Sequence, residues 1–495
     1  MDKRRIVVIG SGFAGLCAAG VLAKEGHDVT ILEKNAEPGG RARTWKSDGF
    51  VFDMGPSWYW MPDVFEKYFN LFGKRTSDFY ELVRLDPSYR VFFKDGKQAD
   101  VPASVQALEQ FFETHEPSSA KKLKRFLADA KYKYDTAMSD HIYRISDSVT
   151  EFFNWDLLIK SFRLRLFQSL RSEVRGLFKN PLLIHILEFP VLFLGSSADK
   201  TPSLYSMMNY ADLVLGTWYP MGGMNQIVKA MVKIAEENGA KIICNEEVKE
   251  IRVTDVWARL VNGSKSAYPA DVVVAGSDYH HTEQTLLPEQ SRQYSDSYWN
   301  KRVLSPSSLL FFIGVNKKLP NLLHHNLFFD EDIELHASQI YSSPKWPTAP
   351  LFYVCVPSKT DAGVAPDGME NLFILMPLAA GLEDTPELRE QYFEKLVKRI
   401  ESKIGEPFSG NIVVKRSYCI NDFKDDYHSY KGNAYGLANT LMQTAIFKPK
   451  MMSPKVKNLF YTGQLTVPGP GVPPSIISGQ IAANEIKRRV AMGVL

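Results

Sequence analysis

The first residues able to do chemistry stand at positions 10–15, GSGFAG, between a β-branched run (Ile6–Ile9) and a small-residue helical stretch, LCAAGVLAKEG. Gly10 permits a tight turn, Gly12 removes the side chain that would block a pyrophosphate, and Gly15 lets the helix pack closely on the strand. Amides at the helix N-terminus then receive the phosphates. A second apolar run, DVTILEK, carries Glu33 about 20 residues beyond the glycines, where a carboxylate accepts hydrogen bonds from both ribose hydroxyls and repels a 2′-phosphate. Strand, turn, helix, strand and terminal acid in this order predict a dinucleotide site, without choosing between NAD and FAD.

The next motifs make that choice. EPGGRART (37–44) and FDMGPSW (52–58) follow at once. Gly39 and Gly40 allow a second close approach of backbone to cofactor, while Arg41 and Arg43 supply fork-shaped donors for pyrophosphate. A nicotinamide domain has no need of this second clamp, so the reading is FAD. At the other end of the chain NLFYTG (458–463) leads through QLTVPGPGVPPS into SIISGQIAANEIKRRV. A helix N-terminus there would stabilise negative charge on a reduced flavin ring, with Gly463, Gly469 and Gly471 admitting backbone contact. Both ends of the chain therefore call for one ligand.

The elements that must position these residues come from distant segments. WYPMGGM (218–224) opens an amphipathic helix and a β-rich stretch that returns to the cofactor, with Val248 at the adenine edge and DVVVA (271–275) as a further strand. The expected fold is α/β: a Rossmann-like FAD-binding domain from discontinuous segments (1–65, 218–300 and 455–495), a mixed-sheet substrate domain (301–454), and a helical, membrane-associating region (66–217). Within the last, KKLKRFLADAKYKYDTAM predicts a helix with a solvated basic face. PLLIHILEFPVLFLG (181–195) is too short to span a bilayer. It reads as a core helix, a tunnel wall or an interfacial element, with Lys160, Arg163, Arg165, Arg171, Arg175 and Lys179 available to lipid.

Composition bounds the alternatives. The 495 residues are 45% hydrophobic and 23% charged, which excludes a disordered chain, and a net charge of +3 excludes a nucleic-acid binder recognised by bulk charge. Four cysteines without a CxxC pair argue against a disulfide framework or structural zinc site. His280 and His281 are adjacent and would point apart in a strand, so no metal cluster is expected. MDKRRIVVIG runs straight into the first strand, and the expected location is cytoplasmic. Aromatics reach 12%, many of them in the middle third, as an apolar ligand would require.

Taken together, GSGFAG, EPGGRART, FDMGPSW, FPVLFLG, TPSLYSMM, TWYPMGGM, ADVVVAGSD and TGQLTVPGPGVPP make the chain resemble the bacterial-type phytoene desaturases, within the amine-oxidase-like flavoproteins, nearly end to end. The resemblance implies FAD-dependent removal of hydrogen from phytoene towards lycopene, hydride passing to flavin. It also implies peripheral contact with the inner face of the cell membrane and oxygen or quinone as electron acceptor. The FAD contacts it implies are Gly10, Gly12, Phe13, Ala14, Gly15, Glu33, Lys34, Gly39, Gly40, Arg41, Ala42, Arg43, Gly55, Pro56, Ser57, Val248, Gly463, Gln464, Gly471, Val472 and Pro473. One departure stands out. Gln464, Leu465, Val467 and Pro474 replace the small residue, glycine, histidine and last glycine of the family's C-terminal motif, which leaves substrate and product open. Alternatives are a desaturase or isomerase of another carotenoid, such as a 3,4-desaturase, and a non-enzymatic prenyl-lipid carrier of the same fold. Asp156, beside Trp155, is the candidate base.

Overall fold

A computed structural model describes residues 2–139, 142, 143, 145, 165, 168–190 and 198–495. Five short parallel strands form the cofactor sheet, in the order Leu459–Tyr461, Val272–Ala275, Arg5–Ile9, Asp28–Leu32, Lys241–Ile243. Their near-continuous Val, Ile and Leu content is that of strands covered on both faces. The strands come from segments hundreds of residues apart, so the nucleotide fold needs both ends of the chain to close.

One helix locks that closure. Phe13–Lys24 is buried along almost its whole length, from Phe13 to Ala23, and packs against both the helix Asn225–Glu237 and the final helix Val472–Ala491. Small residues make the approach possible. A Cβ on Gly479 would stand 2.4 Å from the Ala14 carbonyl oxygen and 2.7 Å from the Cys17 Cβ.

The second sheet has seven strands, ordered Ile412–Tyr418, Ser307–Val315, Glu370–Leu378, Phe352–Cys355, His325–Phe329, Tyr89–Phe93, Gln98–Val101. It is mixed: Tyr89–Phe93 runs parallel to His325–Phe329, and its other pairs are antiparallel. Period-two alternation divides its residues between two cores. Phe311 and Ile374 pack with Phe393 and Leu396 of the helix Pro386–Ile404, whereas Leu310, Phe312, Phe373 and Leu375 join the main core on the cofactor side.

Two expectations are corrected. Residues 66–217 are not uniformly helical: YRVFF and QADV flank an Asp95–Gly96 turn, with Gly96 at φ +75°, and the resulting hairpin extends the substrate sheet. The helix Ser119–Met138 does not present all its lysines to water. Lys133 is fully buried, paired with Asp129 at 2.9 Å and Glu173 at 3.0 Å and bonded to Ser203 and Ser206. The basic residues expected to face lipid have partners, Arg165 with Glu173, Arg171 with Glu334, Arg175 with Glu188 and Lys179 with the Arg175 carbonyl, while Arg165 and Arg175 stay 41% and 45% exposed. Lys160 and Arg163 lie outside the described residues. Pro181–Glu188 is a helix with Leu183, Ile186 and Leu187 buried, and no helix among the described residues is long and apolar enough to cross a membrane.

Gly479→Ala tests the helix lock. On an exposed helix this change stabilises by about 1 kcal/mol. Here the new methyl overlaps Ala14, and the expected effect is a destabilisation of about 1–3 kcal/mol in urea unfolding. An unchanged or raised midpoint would contradict the packing.

Candidate functional site

The cofactor cleft is built where strands of the parallel sheet end. Gly10 turns at φ +89° and donates to the Leu32 carbonyl at 2.8 Å. Gly12 caps the first helix without any side-chain bond, and no acid occupies that helix's first turn, so its amides and positive dipole end are open to an anion. Gly15 is needed for a different reason: a Cβ there would sit 2.1 Å from the Gly10 oxygen, whereas one on Gly12 would meet nothing within 4 Å. Gly12 thus leaves room for a ligand and Gly15 leaves room for the fold.

Glu33 lines the same cleft, and its carboxylate is held from both sides. Oε2 accepts from the Ser11 amide at 2.9 Å and hydroxyl at 2.6 Å, and Oε1 from the Asn35 amide at 2.8 Å and side chain at 3.0 Å. Phe13, Ala14, Lys34, Gly39, Gly40, Val248, Gly463 and Gln464 complete much of the wall of this 180 Å³ space.

Arg41 supplies the cleft's unusual electrostatics. Its guanidinium packs over the Tyr427 ring at 5.0 Å and donates to the Ser429 hydroxyl at 3.3 Å, while its buried Nε has no partner among the described residues. Burial lowers its pKa, with Tyr427 and Asp278 opposing that shift. Asp278 is itself pushed up to about 6 by burial. A buried cation without a carboxylate bonded to it is a site for an anion, and a pyrophosphate supplies one. In the amide orientation that satisfies both its ends, Gln464 accepts from Arg41 Nη2 at 3.1 Å, tying the two chain ends together.

Arg43 departs from its expected role. It is neutralised by Asp426 at 2.5 Å and donates to the Tyr427 hydroxyl at 3.2 Å, so it anchors the Asp426–His428 wall and does not reach the cleft itself. Ala42 is buried, its carbonyl accepting from Asn225 at 2.8 Å. His280 and His281 lie on a helical turn and not on a strand, because Asp278 caps the His281 amide. Their rings still part company, His280 stacking on Tyr430 and His281 on His428. Asp156 lies outside the described residues.

Gly55, Pro56, Gly471 and Val472 line a second space of 150 Å³, which shares Phe13, Arg41, Tyr427, Gln464 and Ser475 with the cleft. It shares Gly55, Pro56, Leu375, Tyr435, Gly471 and Val472 with a third, of 410 Å³. That third cavity also holds Ser57 and Pro473, and its remaining walls are mostly apolar: Trp58, Trp60, Met61, Met207, Met208 and Ile477 among them. The nucleotide cleft and the apolar cavity are therefore neighbours across shared walls. The loop between them is pinned to the last helix, Ser478 Oγ accepting from the Gly463 amide at 3.0 Å and contacting Thr466 Oγ1 at 2.9 Å.

Polar groups are few around this cavity. The Tyr353 hydroxyl donates to Ser57 Oγ at 3.0 Å and meets His325 Nδ1 at 2.6 Å. Asn439 lines the wall, and behind it Lys448 Nζ is buried without a partner among the described residues, about 3.4 Å from where a Cβ on Gly469 would stand. Burial pushes Lys448 down to about 7. Sequence reasoning missed Ser277, Asp278 and Tyr427 in the cleft, and the buried Lys448 outside it. The rule that ligands sit beyond the carboxyl ends of parallel strands points to Ser277 and Asp278, which follow Val272–Ala275. No local pattern marks Tyr427 or Lys448.

The family described as flavin containing amine oxidoreductase matches residues 13–487. A carotenoid 3,4-desaturase of Haloarcula japonica is 41% identical over 489 residues, covering 98% of each chain. A zeta-carotene-forming phytoene desaturase of Myxococcus xanthus is 30% identical over 495 residues, 98% of this chain and 94% of that one. Among solved structures, an oxidoreductase from Methanosarcina mazei superposes with a TM-score of 0.64 at 16% identity, covering 98% of this chain and all of its own. Cyclohexylamine oxidase from Brevibacterium oxydans gives 0.59 at 14%, covering 99% and 100%. These two likenesses show the fold. The protein is an FAD-dependent oxidoreductase.

Gly12→Ala separates cofactor binding from folding. With open space at its Cβ and φ −71°, the flavin-free variant should unfold within about 0.5 kcal/mol of the parent, yet be purified without the yellow flavin spectrum. Full FAD occupancy in that variant would contradict the placement of the pyrophosphate.

Proposed function

The chain belongs to the carotenoid desaturase group of the flavin-containing amine oxidoreductase family, and we propose that it inserts the 3,4 double bond near the end of a long carotenoid that is already partly conjugated. The observation that carries this reading is the 41% identity, over almost the full length of both chains, to a carotenoid 3,4-desaturase, against 30% to a phytoene desaturase. The conversion of phytoene to lycopene, which the motifs alone favour, gives way to it. The departures at Gln464, Leu465, Val467 and Pro474 fit an enzyme that has moved away from phytoene. A flavin-free lipid carrier does not fit a member of a flavin-dependent family with an open pyrophosphate cradle.

Bound FAD supplies a two-electron acceptor for a hydride leaving an allylic carbon. The chain's own residues do the rest. Gly10, Gly12, Gly39, Gly40, Arg41 and Glu33 hold the dinucleotide, and Gly55, Pro56, Gly471 and Val472 border the space next to it. Trp58, Trp60, Met61, Met207 and Met208 hold the polyene by dispersion and keep water from the cation left behind. The proton that the neighbouring carbon loses passes to a base, the role expected of Asp156. A substrate of this kind dissolves in lipid, and we place its collection at a bilayer surface, without assigning that contact to the paired arginines at 165, 171 and 175.

The decisive assay offers liposomes containing either phytoene or a carotenoid saturated at C3–C4 but conjugated further in, with FAD. The expected outcome is a red-shifted product lacking two hydrogens from the second and none from the first. Pigment from phytoene alone would restore the earlier reading.

A further inference from the structure

A second constellation lies behind the apolar cavity, outside the cofactor cleft. His325–Phe329 and Phe352–Cys355 are antiparallel neighbours with His325 directly opposite Cys355, so their side chains leave the same face of the sheet. His324 precedes them on the chain. The three side chains are 6%, 0% and 1% exposed, and one ligating atom from each lies within 4.8 Å of the others.

The hydrogen bonding of the two imidazoles is asymmetric in the same sense. His324 Nδ1 meets the Thr360 hydroxyl at 2.7 Å and His325 Nδ1 the Tyr353 hydroxyl at 2.6 Å. Both Nε2 atoms are buried without a partner among the described residues. An imidazole anchored through one nitrogen to an oxygen, with the other nitrogen free, is how proteins orient histidine towards a metal. Two such rings in contact, each with an unsatisfied nitrogen, are otherwise hard to account for in a dry core.

We propose that His324, His325 and Cys355 bind a zinc ion through two imidazole nitrogens and one thiolate. The mixed nitrogen and sulfur set suits a borderline ion and is wrong for magnesium or calcium, which take oxygen. Charge supports it. Zinc with one thiolate leaves a net positive charge, and Asp361 accepts from Tyr219, whose ring packs on His324 at 4.7 Å. The sequence gives no warning of this site, since 29 residues separate the adjacent histidines from the cysteine and no CxxC or HxxH spacing occurs.

The ion has a positioning role. Trp58 stacks on the His325 ring at 4.1 Å, and Tyr353 is held by His325 Nδ1. Both line the 410 Å³ cavity, so fixing His325 fixes two of its walls.

The test uses untagged, FAD-loaded protein from zinc-supplemented cells. Elemental analysis should find one zinc per chain. X-ray absorption should give one sulfur at about 2.3 Å and nitrogens at about 2.0 Å. Cys355→Ser should lose the sulfur shell and most of the zinc, and dipicolinate should lower the melting temperature of the parent but not of this variant. Protein that holds no zinc even after equilibration with zinc chloride would overturn the proposal. So would zinc without a sulfur ligand in the parent, a reading that stands even if the variants fail to fold.

Discussion

The contact between the first helix and the last, where Gly479 lies against Ala14, is the constraint on which the site depends. It brings the glycine turn at 10–15 and the loop at 463–471 to one cleft although they are separated by nearly the whole chain. Five strands from scattered segments can then close into a single parallel sheet, and the carboxyl ends of four of them line the same cleft. Without that approach there is a phosphate turn at one end, a proline and glycine loop at the other, and no enclosure between them.

Electrostatics and apolarity are divided across this junction. On the nucleotide side Arg41 is buried with a free Nε, stacked on Tyr427, and its charge calls for an anion. Across the shared walls at Gly55, Pro56, Gly471 and Val472 the lining turns to tryptophan, methionine and proline. A charged cofactor and a hydrocarbon substrate have opposite solvation requirements, and the fold meets both by placing two chemically distinct spaces side by side. The aromatic surplus in the composition is spent on the second of them and on the tilted and edge-on rings of Trp58, Tyr89 and Phe189.

What could be read from the sequence was whatever depends on local backbone geometry. The glycines at 10, 12, 15, 39, 40, 463 and 471 are spaced by rules of turn and helix start; those at 10, 12, 39, 40 and 463 line the cleft, Gly15 lets the first helix close on its strand, and Gly471 borders the neighbouring space. What could not be read depends on partners brought in by folding. Arg43 has the same motif as Arg41 but meets Asp426, and Lys133 has the periodicity of a solvated lysine but meets Glu173. Tyr427 enters the cleft from a segment assigned to the substrate sheet, and the hairpin at 89–101 joins a sheet whose other strands begin two hundred residues later. His324, His325 and Cys355 become a cluster only through strand pairing.

The central claim is that the cleft and the apolar cavity form one reaction site in which the C3–C4 bond of a carotenoid meets FAD. A single-turnover experiment without oxygen or any other acceptor tests it most directly. Protein of known FAD content is mixed anaerobically with excess carotenoid saturated at C3–C4, and the extracted pigment is quantified. The account predicts one new double bond at C3–C4 for each bound FAD, and then no more. Product in amounts unrelated to FAD content, or a new double bond at another position, would contradict it.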